Sequence, residues 1–127
     1  QIDYVTLSGS GEPTLYLKLG ELINKIKQLT NKPIAVLTNG SLLWNDVVRN
    51  DIKNADLIIP SLDAGHEDMF RYMNRPCKGL SFEKVVNGII SLAAKFRNNI
   101  YGWRTDWYGR MFIFYWVFRD GKTGELY

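Results

Sequence analysis

The segment Ser8-Gly9-Ser10-Gly11-Glu12-Pro13-Thr14 puts glycines, hydroxyls and one carboxylate into a stretch that glycine and proline keep out of regular structure. Glycine lets a backbone come close to a ligand and present its N–H and C=O groups, and Glu12 adds acceptors suited to an ammonium group. Other readings of the same residues stay open. The segment also suits a plain turn in which Glu12 sits favourably near a helix N-terminus. A glycine-rich turn at a helix start can cradle a phosphate, but the Glu12 carboxylate would repel that anion. Neither the Rossmann nor the P-loop pattern is present.

The remaining chemistry-bearing residues are scattered. His66 is the single histidine and is followed by Glu67 and Asp68, which suits a solvated or capping residue at a helix start. Arg75 has the fork to meet a substrate carboxylate or phosphate, or to form a surface ion pair. Cys77 is the only cysteine, which excludes an intrachain disulfide framework and suits a reducing, cytosolic setting. Nothing in the order of the residues supports a Ser-His-Asp triad or a glycosidase-like carboxylate pair.

Elements are needed to position these groups. A chain of 127 residues, 46% hydrophobic and 23% charged, has room for one compact domain with one core. The net charge of +3 is small and the sixteen Lys and Arg residues are spread along the chain, so charge does not point to nucleic acid. No apolar run is long enough to span a membrane, and the opening residues lack the basic-then-apolar order of a signal peptide. Residues 2–7 read as a strand that ends in the Ser8–Pro13 loop. Leu15, Leu19, Leu22, Ile23, Ile26 and Leu29 recur with the period of a helix burying one face. Residues 34–38 form an apolar run too short for a helix and are expected to be a strand buried on both faces. A helix over 44–53, a strand over 56–61 with Pro60 near its end, and a short helix over 67–72 follow. Ser81 is a good N-cap for a long helix whose face is Phe82, Val85, Val86, Ile89, Ile90, Ala93 and Phe96. The alternation of apolar strands and helices predicts an α/β fold with a parallel sheet and right-handed crossovers. In such sheets binding groups gather in the loops leaving the C-terminal ends of the strands: here 8–13, 39–42 and 61–65.

At these three loops the sequence resembles a known family. Ser8-Gly9-Ser10-Gly11-Glu12-Pro13-Thr14-Leu15 is similar to the Gly-Gly-Glu-Pro region of radical S-adenosylmethionine (radical SAM) enzymes, with Ser10 in place of the first glycine. Leu37-Thr38-Asn39-Gly40-Ser41-Leu42 resembles that family's third-strand Thr-Asn-Gly, and Pro60-Ser61-Leu62-Asp63-Ala64 its fourth-strand Ser-Leu-Asp. Met73-Asn74-Arg75-Pro76 followed by Gly79 extends the resemblance toward iron-sulfur oxidoreductases related to wyosine synthases, which makes RNA a candidate partner. The resemblance covers about residues 3–96.

It implies an incomplete, partial parallel (β/α) barrel, with residues 1–97 as its central part. It also implies S-adenosylmethionine and a 4Fe-4S cluster as cofactors. In the family, an electron passed through the cluster breaks a carbon–sulfur bond of the sulfonium, and the 5′-deoxyadenosyl radical so formed abstracts hydrogen from a substrate. By this resemblance Ser10, Gly11, Glu12 and Pro13 form the loop that holds the methionine amine. Thr38 and Asn39 line the pocket, and Ser61 with Asp63 contacts the ribose or carboxylate. The family's three cluster cysteines, spaced Cys-x-x-x-Cys-x-x-Cys upstream of the glycine loop, are missing, and one cysteine cannot replace them. The expectation is therefore a cofactor-gripping fragment of a cytoplasmic radical enzyme, inactive alone, whose parent draws on an electron donor. A non-enzymatic α/β binding or scaffolding module is the alternative. Residues 98–127, crowded with aromatics, read as a divergent tail forming one further strand or a hairpin.

Overall fold

The structure, a computed structural model, describes residues 3–95. Three strands, β1 (Val5–Leu7), β2 (Ile34–Thr38) and β3 (Leu57–Pro60), pair in parallel in the order β1-β2-β3. The register sets Val5 against Ile34, and Leu37 against Ile59. Four helices accompany them: α1 (Leu19–Leu29), α2 (Asp46–Ile52), α3 (Glu67–Asn74) and α4 (Phe82–Lys95). The chain is thus α/β with a parallel sheet. The expected tail and Phe96 lie outside the described residues.

Strand alternation divides the sheet into two faces. Ile34 and Val36 of β2 and Ile58 of β3 are buried in one core with Leu19 and Ile23 of α1, Ile52 of α2 and Leu92 of α4. The other face is more open where it approaches the strand ends: Leu37 is 36% exposed and Ile59 is half-buried beside it. The expectation that β2 is buried on both faces therefore holds for Ile34 to Val36 and fails at Leu37. A second cluster, Ala64, Phe70, Leu80 and Val85, joins α3 to α4, with the Phe70 and Phe82 rings tilted at 6.2 Å.

Helix boundaries follow local chemistry. Pro13–Leu15 is a single 3-10 turn, and Leu15, counted from its spacing as part of the helical face, is 65% exposed there. Proline fixes the turn's first residue, and α1 starts only at Leu19. Asn45 caps α2 through its side-chain oxygen and Val47 N–H, and Ser81 Oγ accepts the Lys84 N–H at the head of α4. Asp56 ties layers together, its carboxylate accepting the Ile34 N–H at 2.8 Å and Lys27 Nζ at 2.7 Å. Ser61 N–H donates to the Thr38 carbonyl, so the N–H that Pro60 lacks belongs to the side of β3 away from β2. In α4 the helix–loop contact is made at Gly88, where a Cβ would lie 2.6 Å from the Leu43 carbonyl carbon and the Trp44 nitrogen.

Candidate functional site

Glu12 organises the strand ends. Its Oε1 accepts three donors: Thr14 N–H at 3.2 Å, Thr14 Oγ1 at 2.6 Å and Thr38 Oγ1 at 2.5 Å. Its Oε2 accepts the Asn39 N–H at 2.7 Å. A carboxylate offers about four lone-pair sites, so most of the acceptor capacity is spent inside the chain, and what remains is on Oε2. The sequence left Glu12 between a ligand for an ammonium group and a residue at a helix start. The geometry makes it the cap of the 3-10 turn and also a clamp joining the β1 loop to the end of β2.

Thr38 carries the clamp onward. It is buried, and its hydroxyl donates to Glu12 while accepting the Gly40 N–H at 3.1 Å. Gly40 has φ +77°, a left-handed conformation natural to glycine, and this turns the chain out of β2 toward α2. Asn39 Oδ1 accepts the Ser41 N–H at 2.9 Å. The bonds of Thr38 to Glu12 and Gly40 fix loop residues against the end of β2, and the Asn39–Ser41 bond closes the turn that follows.

The three loops border an open cavity of about 680 Å³. Ser10, Gly11, Glu12, Pro13, Thr38, Asn39, Ser61 and Asp63 all contribute to its wall, so the residues that the resemblance gave to the cofactor lie around one cavity, while His66, Arg75 and Cys77 lie away from it. Leu37 and Ile59, together with Ser8 and Gly9, complete it. The two apolar residues were not singled out; their signal was the register, which pairs them on the open face of the sheet. The volume lies within the range of small-molecule and cofactor sites. Glu12 and Asp63 line this cavity, and among the described residues no Lys or Arg does.

Asp63 has no hydrogen-bond or ion-pair partner among the described residues. It does not cap the following helix either: His66 does, with Nδ1 accepting the Met69 N–H at 3.4 Å. Gly11 lines the cavity too, and a Cβ added there would meet nothing within 4 Å. The described chain therefore gives no packing reason for glycine at that position. Among the described residues, open space, an unpartnered carboxylate and a wall without cations fit a cofactor whose reacting end carries positive charge.

A 4Fe-4S cluster does not fit these residues. Among them no group of three or more His, Cys, Asp or Glu side chains could hold a metal, and the sole cysteine, Cys77, is exposed on the turn between α3 and α4. Cluster ligation requires several thiolates converging on one loop. Among the described residues no helix is long and apolar enough to cross a membrane.

Comparison with known proteins supplies the family. The chain is 41% identical over 100 residues to a UPF0026 protein of Synechocystis, covering 79% of this chain and 38% of that protein. It is 51% identical over 96 residues to a protein of Brachyspira hyodysenteriae named GTPase Obg, covering 76% of this chain and 14% of that protein. A probable GTP 3',8-cyclase of Saccharolobus solfataricus is 35% identical over 91 residues, covering 71% of this chain and 28% of that one. The chain thus spans between 14% and 38% of the length of these relatives. A family model described as the radical SAM superfamily matches residues 2–106, well over half of the chain, and the chain belongs to that superfamily.

Proposed function

We propose that the cavity at the ends of β1, β2 and β3 holds S-adenosylmethionine, and that these residues are the cofactor-gripping, central part of a partial (β/α) barrel in a radical SAM iron-sulfur enzyme. The observation that carries the reading is the convergence of the three strand-end loops on one cavity with two carboxylates and, among the described residues, no cation in its wall. S-adenosylmethionine bears a sulfonium and an ammonium against one carboxylate, so its net charge complements that wall.

The roles follow from which groups are free. Glu12 acts mainly by fixing the loop, with Pro13 setting the 3-10 turn, which leaves the backbone of Ser10 and Gly11 to approach the methionine amine. Thr38 is committed to the clamp and holds the wall in place. Asn39 and Ser61 offer polar groups at the rim, and Asp63, being an anion without a partner, suits the ribose hydroxyls or the ammonium. When bound, the cofactor supplies radical chemistry through reductive cleavage at its sulfonium. The electron has to come from a donor and a cluster whose thiolates these 127 residues do not provide.

That shortage favours a second reading for these residues taken alone: a binding module without catalysis. Isothermal titration separates the possibilities. S-adenosylmethionine should bind the chain with one-to-one stoichiometry, and S-adenosylhomocysteine, which lacks the sulfonium charge, should bind about tenfold more weakly. Asp63→Asn should lose about tenfold in affinity with an unchanged melting temperature. Equal affinity for the two ligands together with an indifferent Asp63→Asn would refute the site. Anaerobic reconstitution with iron and sulfide addresses the cluster: stoichiometric uptake by these residues would refute the division of labour.

A further inference from the structure

A second cavity, of about 620 Å³, lies on the other side of Asn39, which contributes to both walls. It is framed by the turn after β2, the end of α3, the α3–α4 turn and the head of α4. Its charge is the reverse of the first cavity's. Arg75, Lys78 and Lys84 line it, and among the described residues no Asp or Glu does. None of the three cations has an ion-pair partner among the described residues.

All three cations are solvent-exposed, and apolar surface stands beside them. Trp44 and Phe70 contribute to the wall, and Lys84 Nζ lies 4.0 Å from the centre of the Trp44 ring. A cation parked on an indole is held in place without being neutralised. Arg75 adds an independent sign. It ends α3 at φ 45°, ψ 56°, the only non-glycine residue at positive φ among those described. Glycine suits that backbone better by about 1–2 kcal/mol, so the position carries a guanidinium at a conformational cost. Asn74 supplies a third observation, since its Oδ1 is buried without a hydrogen-bond partner while the residue lines the cavity. A buried acceptor without a donor is rare unless something else provides one.

We propose that this second cavity binds a small phosphorylated molecule, its phosphate received by Arg75, Lys78 and Lys84, and an N–H or O–H of its body satisfying Asn74 Oδ1. Three cations match a phosphate dianion better than a single carboxylate, and the guanidinium takes phosphate oxygens in pairs. The apolar wall of Trp44 and Phe70 takes the flat part of the ligand. The assignment is independent of S-adenosylmethionine and of any cluster.

Uridine 5′-monophosphate is the probe, with uridine and inorganic phosphate as partial ligands and hexaglutamate as a competing polyanion. Binding to the 127-residue chain is followed by amide shifts in 1H–15N spectra. The nucleotide should move the signals of Ser41, Lys78, Gly79 and Lys84 and leave Ser10 and Gly11 unmoved. Its affinity should fall as salt rises, and should exceed that of either partial ligand about tenfold. Arg75→Asn, which keeps a residue tolerant of the left-handed conformation, and Lys84→Gln should each weaken binding about tenfold, the loss expected for a charge-assisted hydrogen bond. Lys78→Gln tests the same field away from both the strained residue and the indole. Affinities within twofold of the unaltered chain in all three variants would overturn the proposal. So would uridine binding as well as its phosphate, shifts confined to the Ser10 loop, or displacement by hexaglutamate at lower concentration than by the nucleotide itself.

Discussion

The Thr38 hydroxyl donates to Glu12 Oε1 at 2.5 Å, a bond that fastens the loop after β1 to the end of β2 across 26 positions of sequence. With Thr14 and Asn39 as its other donors, the Glu12 carboxylate has a folding role before any ligand arrives. Glu12→Ala should therefore lower stability without ligand by about 2–3 kcal/mol, because hydrogen bonds to charged groups are lost and the buried Thr14 and Thr38 hydroxyls are left to find other partners. Urea unfolding measures it. A residue that only touched ligand would leave the midpoint of the ligand-free chain unchanged.

The same bond gives a coupling prediction. Thr38→Val removes the hydroxyl at nearly constant shape, so its effect and that of Glu12→Ala should not add. A double-mutant cycle should return about 1 kcal/mol or more of interaction energy, within the range for residues in one network. Strict additivity would mean that the two side chains are stabilised separately.

How much of this was legible beforehand depends on whether it is local. The apolar run 34–38 became β2 with the expected bounds, because five residues without helical period and bounded by Pro33 and Asn39-Gly40 fit little else. The three strand-end loops then had to converge, since parallel pairing puts all C-terminal ends on one side. The Glu12–Thr38 clamp was not legible, because it depends on the register that sets Leu7 beside Val36, which no local pattern specifies. The second cavity was hidden for the same reason. Trp44 and Lys84 are far apart in sequence and meet only because α4 docks on the turn after β2.

The phase of α4 shows a subtler failure. Spacing alone put Ile90 on the buried face, yet it is 58% exposed, while Leu92 is fully buried in the main core. The contact that sets the phase is made by Gly88, which adds nothing to a count of apolar residues. Leu92→Ala should cost about 3 kcal/mol, and Ile90→Ala, being mostly solvent-facing, less than about 1 kcal/mol. Comparable losses in chemical denaturation would restore the phase expected from spacing.

Gly88 itself admits a prediction with opposing terms. Alanine gains about 1 kcal/mol of helix propensity over glycine. Against this, its methyl would sit 2.6 Å from the Leu43 and Trp44 backbone, which cannot move aside as a flexible side chain can. Overpacking of that kind costs about 1–3 kcal/mol and here has to displace a whole helix. Gly88→Ala should therefore be destabilising on balance, and the Trp44 and Lys84 amide signals should shift with it. A more stable variant would show that α4 stands further from that turn.

Gly11 is the opposite case, and it separates folding from ligand binding. It does not have positive φ, and a Cβ there meets nothing within 4 Å among the described residues, so alanine fits them without ligand. By limiting the unfolded chain, Gly11→Ala should raise stability by up to about 1 kcal/mol. The residue nonetheless lines the cavity assigned to S-adenosylmethionine, where the proposed reading brings backbone and ligand into contact. An added methyl then overlaps the ligand, and about 1–3 kcal/mol of overlap corresponds to at least a tenfold loss of affinity. Thermal melting and isothermal titration on one variant should thus move in opposite directions. Unchanged affinity in a more stable protein would mean that the ligand does not approach the backbone at Gly11, and the amine would have to be sought elsewhere along the loop.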